Sequence, residues 1–100
     1  MELPKSRKGR ETRRKTIDGK PLIYTVMDDF IFKALSDDRK AFSIQKLKFE
    51  DDHEEYRIMY YMIAEKPRMK GKWAFGQFAP MMTKSELKMI FDLMREKGWI

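Results

Sequence analysis

The pattern of hydrophobic positions is clearest near the carboxyl end of the 100-residue chain. Thr83 to Glu86 reads T-K-S-E, a capping box in which each of these two side chains hydrogen-bonds to the backbone of the other residue. The apolar residues that follow recur at the spacing of one helical face: Leu87, Ile90, Phe91 and Met94. Gly98 suits the left-handed conformation in which many helices end. The pattern predicts a helix over about residues 84–97.

A second helix is predicted near the start of the apolar part of the chain. Its apolar residues lie on one stripe at helical spacing: Met27, Phe30, Ile31, Ala34 and Leu35. The helix would begin after Thr25, with Asp28 and Asp29 in its first turn, and would end near Ser36 or Asp37.

Three β-strands are predicted between the two helices. The first covers residues 42–49, where the alternation slips by one residue at Gln45 and Lys46 and indicates a bulge. The second covers residues 56–64 and has the strongest strand signal. The third covers residues 73–79, and its interior Gly76 indicates a bulge or a close approach of the backbone.

The predicted fold class is α+β, a single small domain with the order α-β-β-β-α. In this predicted fold, two helices pack against a three-stranded antiparallel sheet. The middle strand is apolar on both faces, with Tyr60 and its neighbours pointing to one face and Tyr61 and its neighbours to the other. Both faces therefore need cover. Internal cover combined with self-association is favoured, and the alternative leaves one face for a partner chain or for nucleic-acid bases.

The α-β-β-β-α order is similar to that of the double-stranded RNA-binding domain. That family's characteristic features are a Gly-Pro-x-His loop and a lysine cluster that opens the final helix. Here the final helix opens with Thr83-Lys84-Ser85-Glu86, and the only histidine, His53, lies in an acidic setting. The similarity is one of topology, and a fold analogy without the site does not establish function.

Charge divides the chain at Lys20. Residues 1–20 hold 8 basic and 3 acidic groups, a net of +5, and the other eighty residues hold 14 and 13, a net of +1, which together give +6. Only Met1, Leu3 and Ile17 are apolar in the first part, so it lacks the residues for a core. We therefore predict a flexible, disordered basic N-terminal arm at residues 1–20 and a compact α+β domain at residues 21–100.

Several classes of protein are excluded by composition. The longest apolar run, Ile58 to Ala64, has seven residues, and a membrane-spanning helix needs about 20. The first twenty residues have no apolar h-region of a secretory signal. With no cysteine there are no disulfides and no cysteine-ligated metal. We expect a soluble, cytoplasmic protein with no membrane partner and no cofactor.

Two basic runs are the candidate contacts with nucleic acid. The first lies in the basic arm, at residues 6–15, and the second is a basic loop at residues 66–73. Clustered Lys and Arg neutralise phosphates and release counterions. In the second run cations alternate with Met69 and Trp73, as single-strand binding requires. The predicted nucleic-acid-binding residues are Arg7, Lys8, Arg10, Arg13, Arg14, Lys15, Arg68, Lys70, Lys72 and Trp73. A solubilising or targeting tail, and a charged hairpin loop whose Pro67 and Gly71 serve the turn, are the alternatives left open.

Candidate catalytic and metal sites have little support. The run Glu50 to Glu55 holds five carboxylates and the only histidine, and oxygen ligands in a row suit Mg²⁺ or Ca²⁺. It lacks the spacing of an EF-hand, and a solvated acidic turn is the favoured interpretation. Ser36, Ser43 and Ser85 have no nearby histidine to activate them. We predict no catalytic residue, no metal site and no enzyme activity.

The leading hypothesis is a small non-enzymatic nucleic-acid-associated protein. It would bind the phosphate backbone of DNA or RNA without sequence specificity, through the basic arm and the basic loop. The alternative is a protein–protein interaction or assembly module, as a homodimer or with a partner protein, that has no role with nucleic acid.

Overall fold

A single curled sheet forms most of the molecule. The computed structural model describes residues 2–65, 68–76 and 78–100. Its elements are the strands β1 (Glu11–Lys15), β2 (Pro21–Lys33), β3 (Lys40–Phe49), β4 (Glu54–Ile63) and β5 (Trp73–Phe75), and the helix α1 (Lys84–Glu96). Each strand pairs antiparallel with the next one along the chain, in the order β1-β2-β3-β4-β5. The sheet curls into a half-barrel.

This architecture contradicts the predicted fold class. The sheet has five strands instead of three, and α1 is the one helix among the described residues. The region predicted as the first helix lies mainly in β2, and part of the region predicted as a disordered arm forms β1. The order β-β-β-β-β-α also removes the topological similarity to the double-stranded RNA-binding domain. The division of the chain into two units at residue 20 stays a prediction.

The error in β2 has a local cause, a bulge at Met27. The pairing of β2 with β3 shifts between Val26, which is opposite Leu47, and Asp28, which is opposite Lys46. One extra residue moves every later side chain to the other face of the sheet. The alternation of apolar residues is therefore interrupted, and their spacing after the bulge resembles the helical period of 3.6.

Two of the predicted strands are confirmed as β3 and β4, with ends shifted by one or two residues. The bulge predicted at Gln45 and Lys46 is wrong, because β3 pairs with β4 without a break and the irregularity lies in the partner strand β2. The third strand is shorter than predicted and ends at Phe75. Lys66, Pro67 and Gln77, on which parts of these predictions fall, lie outside the described residues.

At Gly76, directly after β5, the chain passes close to Tyr60. The Gly76 N–H donates to the Tyr60 carbonyl oxygen at 2.8 Å. A Cβ atom at Gly76 would overlap the ring of Tyr60. The close approach predicted at this glycine is confirmed.

The helix α1 is confirmed together with both of its capping motifs. The Glu86 N–H donates to the Thr83 hydroxyl at 3.2 Å, and the Thr83 N–H donates to the Glu86 carboxylate at 2.8 Å. At the other end Gly98 has a φ of 76°. The Trp99 N–H donates to the Met94 carbonyl oxygen at 2.8 Å, as in a Schellman motif. With 13 residues, α1 is neither long nor apolar enough to cross a bilayer, and the described residues contain no other helix.

Each face of the sheet has its own buried cluster. On the side that we call the helix face, Ile90 and Met94 of α1 pack against Ile44 of β3. Five partly buried residues complete this cluster: Phe32, Ile58, Met82, Leu93 and Trp99. The other side, which we call the N-terminal face, has the cluster Tyr24, Val26 and Leu47. Ser43, Gln45 and Tyr61 are also buried on this face.

Candidate nucleic-acid interface

The residues Glu2–Arg10, which we call the N-terminal segment, cross the N-terminal face. At one end the Val26 N–H donates to the Arg10 carbonyl oxygen at 2.9 Å, which holds the segment against β2. At the other end the Trp73 indole N–H donates to the Glu2 carbonyl oxygen at 2.7 Å, next to β5. From β2 to β5 there are three inter-strand spacings, about 14 Å. About five extended residues are enough to cover that distance.

A third attachment lies between these two ends. The Arg7 N–H donates to the Asp29 carboxylate at 2.8 Å, and the Ser43 hydroxyl donates to the other oxygen of Asp29 at 2.5 Å. The Arg7 guanidinium lies 5.0 Å from the centre of the Phe75 ring, a cation–π contact. Because Ser43 is fully buried, it fixes the carboxylate that holds the segment.

A groove of about 990 Å³ separates the N-terminal segment from β5 and the turn before it. Among the described residues, four cationic side chains and one carboxylate line it: Lys5, Arg7, Arg10, Lys72 and Glu2. Three aromatic side chains also line it: Tyr61, Trp73 and Phe75. We call this the basic–aromatic groove. The ring of Tyr61 stacks on that of Phe75 with 4.8 Å between centres.

The structure brings together four of the ten predicted nucleic-acid-binding residues. Arg7, Arg10, Lys72 and Trp73 line the basic–aromatic groove. The other six are exposed and lie outside the groove lining: Lys8, Arg13, Arg14, Lys15, Arg68 and Lys70.

The register of β1 sorts its cations between the two faces. Arg14 is opposite Leu22 and points to the N-terminal face, and Arg13 is opposite Ile23 and points to the helix face. Arg13 also forms an ion pair with Glu11 at 2.6 Å. Of these cations, Arg14 therefore lies on the same face as the groove.

Three groove residues were missed by sequence reasoning. Tyr61 and Phe75 were interpreted only as apolar strand residues, and Lys5 was left out of the predicted set. Tyr61 and Phe75 are directly opposite each other in the β4–β5 ladder, so their side chains share a face. The alternation of side chains along each strand could have indicated which residues of that strand share a face. The contact between Tyr61 and Phe75 depends on the register of β4 with β5, which the sequence does not show.

The acidic run forms the turn between β3 and β4 and the first two residues of β4, and its side chains pair with nearby residues. His53 lies between the carboxylates of Asp51 and Glu55, and its Nε2 is 2.8 Å from Glu55. Hydrogen bonds to Glu55 and then to Asp51 raise the pKa of His53 above its ordinary value. Glu54 forms an ion pair with Lys46 at 3.3 Å. In the described ranges no three His, Asp or Glu side chains are grouped to hold a metal ion.

Tyr61, one of the groove residues, carries an unusual buried hydroxyl. The side chain is 5% exposed, and its hydroxyl has no hydrogen-bond partner among the described residues. Burial raises the pKa of Tyr61 above its ordinary value, and the nearby Asp29 carboxylate adds to the effect. The hydroxyl is therefore a neutral donor at physiological pH.

No protein-family model, curated protein or solved structure matches this chain. The functional argument therefore depends on the chemistry of the site.

Proposed function

We propose that this protein is a non-enzymatic nucleic-acid-binding protein that contacts the phosphate backbone. The observation that carries the proposal is the charge of the basic–aromatic groove. Among the described residues, its lining contains four cationic side chains and one carboxylate. Cations at this density attract phosphates and release condensed counterions when phosphates bind. The N-terminal segment supplies Lys5, Arg7 and Arg10, and the turn before β5 supplies Lys72.

The cations around the groove are available to a ligand. Arg10, Arg14 and Lys72 are exposed, and no carboxylate of the described residues lies within 4.0 Å of their charged nitrogens. The acidic turn pairs with β3 lysines and His53 and leaves these arginines free. Exposed cations without a carboxylate partner therefore lie both in the groove and on β1.

Salt dependence of binding tests this proposal. Fluorescence anisotropy with a labelled oligonucleotide at several salt concentrations should give a linear fall of log K with log salt. The slope is about −0.7 to −0.9 for each phosphate contact. Replacing three of the available cations by glutamine should reduce the slope by about two to three. This triple variant is Arg10→Gln, Arg14→Gln and Lys72→Gln.

A matched control removes the same charge elsewhere. Lys84, Lys88 and Arg95 of α1 are exposed and lie outside the groove lining, so their replacement by glutamine should leave the slope nearly unchanged. Absence of binding at low salt, or an equal loss in the control, would contradict the proposal.

The alternative, an interaction or assembly module, is favoured by one observation. Phe78 and Met81, between β5 and α1, are 78% and 79% exposed. Both line one groove together with Met62, and exposed apolar patches often mark protein interfaces. Trp99 packs against the helix-face cluster and is not one of these exposed side chains. Light scattering that shows a stable oligomer without salt-sensitive nucleic-acid binding would support this alternative.

A further inference from the structure

The aromatic lining of the groove indicates a ligand with exposed planar rings. Phe75 is 46% exposed and Trp73 is half-buried, and both lie beside the cations that would hold phosphates. Unpaired bases stack on such side chains while cations track the backbone. A base inside a duplex must first lose its stacking and pairing, which an unpaired base does not. The groove volume, about 990 Å³, is at the upper end of the ~300–1,000 Å³ typical of sites for small ligands.

The contact that now covers Phe75 is weak enough to be exchanged. The Arg7 guanidinium lies 5.0 Å from the centre of the ring, and a cation–π contact near the surface is a weak interaction. A base stacked on an aromatic side chain contributes more to binding than such a contact. A base can therefore replace Arg7 over Phe75, which leaves the guanidinium for the phosphate.

Tyr61 provides a polar contact that the chain itself does not satisfy. Its hydroxyl is buried without a hydrogen-bond partner among the described residues, a state that destabilises the protein until a partner is supplied. Its ring lines the groove, and the charges of Asp29 and Arg7 act on the hydroxyl. Small Ala41, directly opposite in β3, leaves room for the ring. A base that displaces Arg7 can offer the hydroxyl an acceptor, such as a carbonyl oxygen or a ring nitrogen.

We infer that the groove binds single-stranded nucleic acid, with an unpaired base stacked at Phe75 and Trp73 and hydrogen-bonded by the Tyr61 hydroxyl. This inference rests on the proposed function and narrows it from any polyanion to one with exposed bases.

Intrinsic fluorescence separates stacking from charge. In Trp99→Phe, Trp73 is the single tryptophan. The probes are a 12-nucleotide thymidine oligomer, an abasic 12-mer of equal charge and a 12-base-pair duplex. We expect the thymidine oligomer to quench Trp73 fluorescence and to bind at least tenfold more tightly than the abasic strand. Equal affinity of all three probes without quenching would overturn this inference and leave the proposed function standing. Failure of all three to bind in a salt-dependent way would overturn both.

Tyr61→Phe tests the hydroxyl alone. We expect a two- to tenfold loss of affinity for the thymidine oligomer, the equivalent of about 0.4–1.4 kcal/mol, as for one hydrogen bond. Affinity for the abasic strand should be unchanged, and the Tm should be equal or higher because an unpaired buried hydroxyl is removed. The control is Tyr56→Phe on the helix face, which should change neither affinity. A Tyr61→Phe variant that binds both strands as the wild type does, or that weakens both equally, would overturn the assignment of this hydroxyl.

Discussion

Glu86 joins α1 to the sheet, and its removal gives the sharpest test of the fold. The side chain is fully buried. Its carboxylate accepts hydrogen bonds from the backbone N–H groups of Thr83 at 2.8 Å and Leu35 at 2.7 Å. The hydroxyl of Ser36 donates to it at 3.2 Å. One side chain therefore completes the capping box and also fixes the connection between β2 and β3.

The cost of Glu86→Ala can be worked out from these contacts. A hydrogen bond to a charged group contributes about 1.5–3 kcal/mol. We count only the backbone hydrogen bonds from Thr83 and Leu35, and we take the lower value for each. The lower value applies because Leu35 and Ser36 are exposed, so water can replace part of the lost hydrogen bonding. We expect a loss of about 3 kcal/mol in the free energy of unfolding, which lowers the Tm by roughly 12–24 °C in a domain of this size. Glu86→Gln retains one acceptor oxygen, so its free energy of unfolding should lie between those of the wild type and Glu86→Ala.

Urea unfolding followed by circular dichroism measures this loss, with Glu96→Ala as the matched control on the exposed side of α1. The control should change stability by less than about 0.5 kcal/mol. Burial works against ionisation of Glu86, but the hydrogen bonds from Thr83, Ser36 and Leu35 outweigh it and hold its pKa below the usual 4.5. A lowered pKa in the folded state stabilises the protein above the pKa of the unfolded state, and this contribution is lost as pH falls through the folded-state pKa.

The difference between wild type and Glu86→Ala should therefore shrink below about pH 4.5. A Glu86→Ala variant as stable as Glu96→Ala at pH 7 would refute the reasoning.

Three other perturbations have defined outcomes. Gly76→Ala places a methyl group on the Tyr60 ring and should cost about 1–3 kcal/mol in urea unfolding; a cost below 0.5 kcal/mol would be inconsistent with the close approach. Gly98→Ala, at a φ of 76°, should cost about 1 kcal/mol by the same assay and should leave oligonucleotide affinity unchanged. NMR titration should show the pKa of His53 above 6.5 and lower in Glu55→Gln, which removes the largest cause. The raised pKa of His53 stabilises the folded state at pH values below the unfolded-state pKa, and this stabilisation is lost as pH rises through the folded-state pKa. Equal His53 pKa values in the wild type and Glu55→Gln would argue against the Glu55 contact.

The helix α1 could be predicted because its signals are local. The capping box joins Thr83 and Glu86, and the final turn needs only Gly98 and its neighbours, so no distant contact decides the outcome. In β2 the bulge at Met27 depends on pairing with another strand, and it breaks the alternation on which strand prediction relies.

The strand β1 was missed for a different reason. It has no apolar residue, and its charged residues suit an edge strand because they protect it from pairing with other chains. Its signal was the turn after it, where Asp18 and Gly19 form a dipeptide that favours hairpins. Gly19 has a φ of 82°, and its N–H donates to the Thr16 carbonyl oxygen at 2.9 Å.

The basic character of the site was readable from the sequence, and its aromatic half was not. Arg7 and Arg10 lie in a run of basic residues that is evident in the sequence. Tyr61 and Phe75 become groove residues only because β4 and β5 pair in one register and the N-terminal segment then crosses above them. Such a meeting of distant side chains is a property of tertiary structure.

Pairing of each strand with its sequence neighbour has a kinetic consequence. The four connections between strands are only four to nine residues long, so every ladder closes a short loop at small entropic cost. Folding by successive hairpins is therefore expected to be rapid. The contact between Trp73 and Glu2 closes a loop of 71 residues and adds little buried apolar area. We expect it to form last and to open by local fraying long before the sheet unfolds, so that amides near Glu2 exchange with solvent far faster than those of β3.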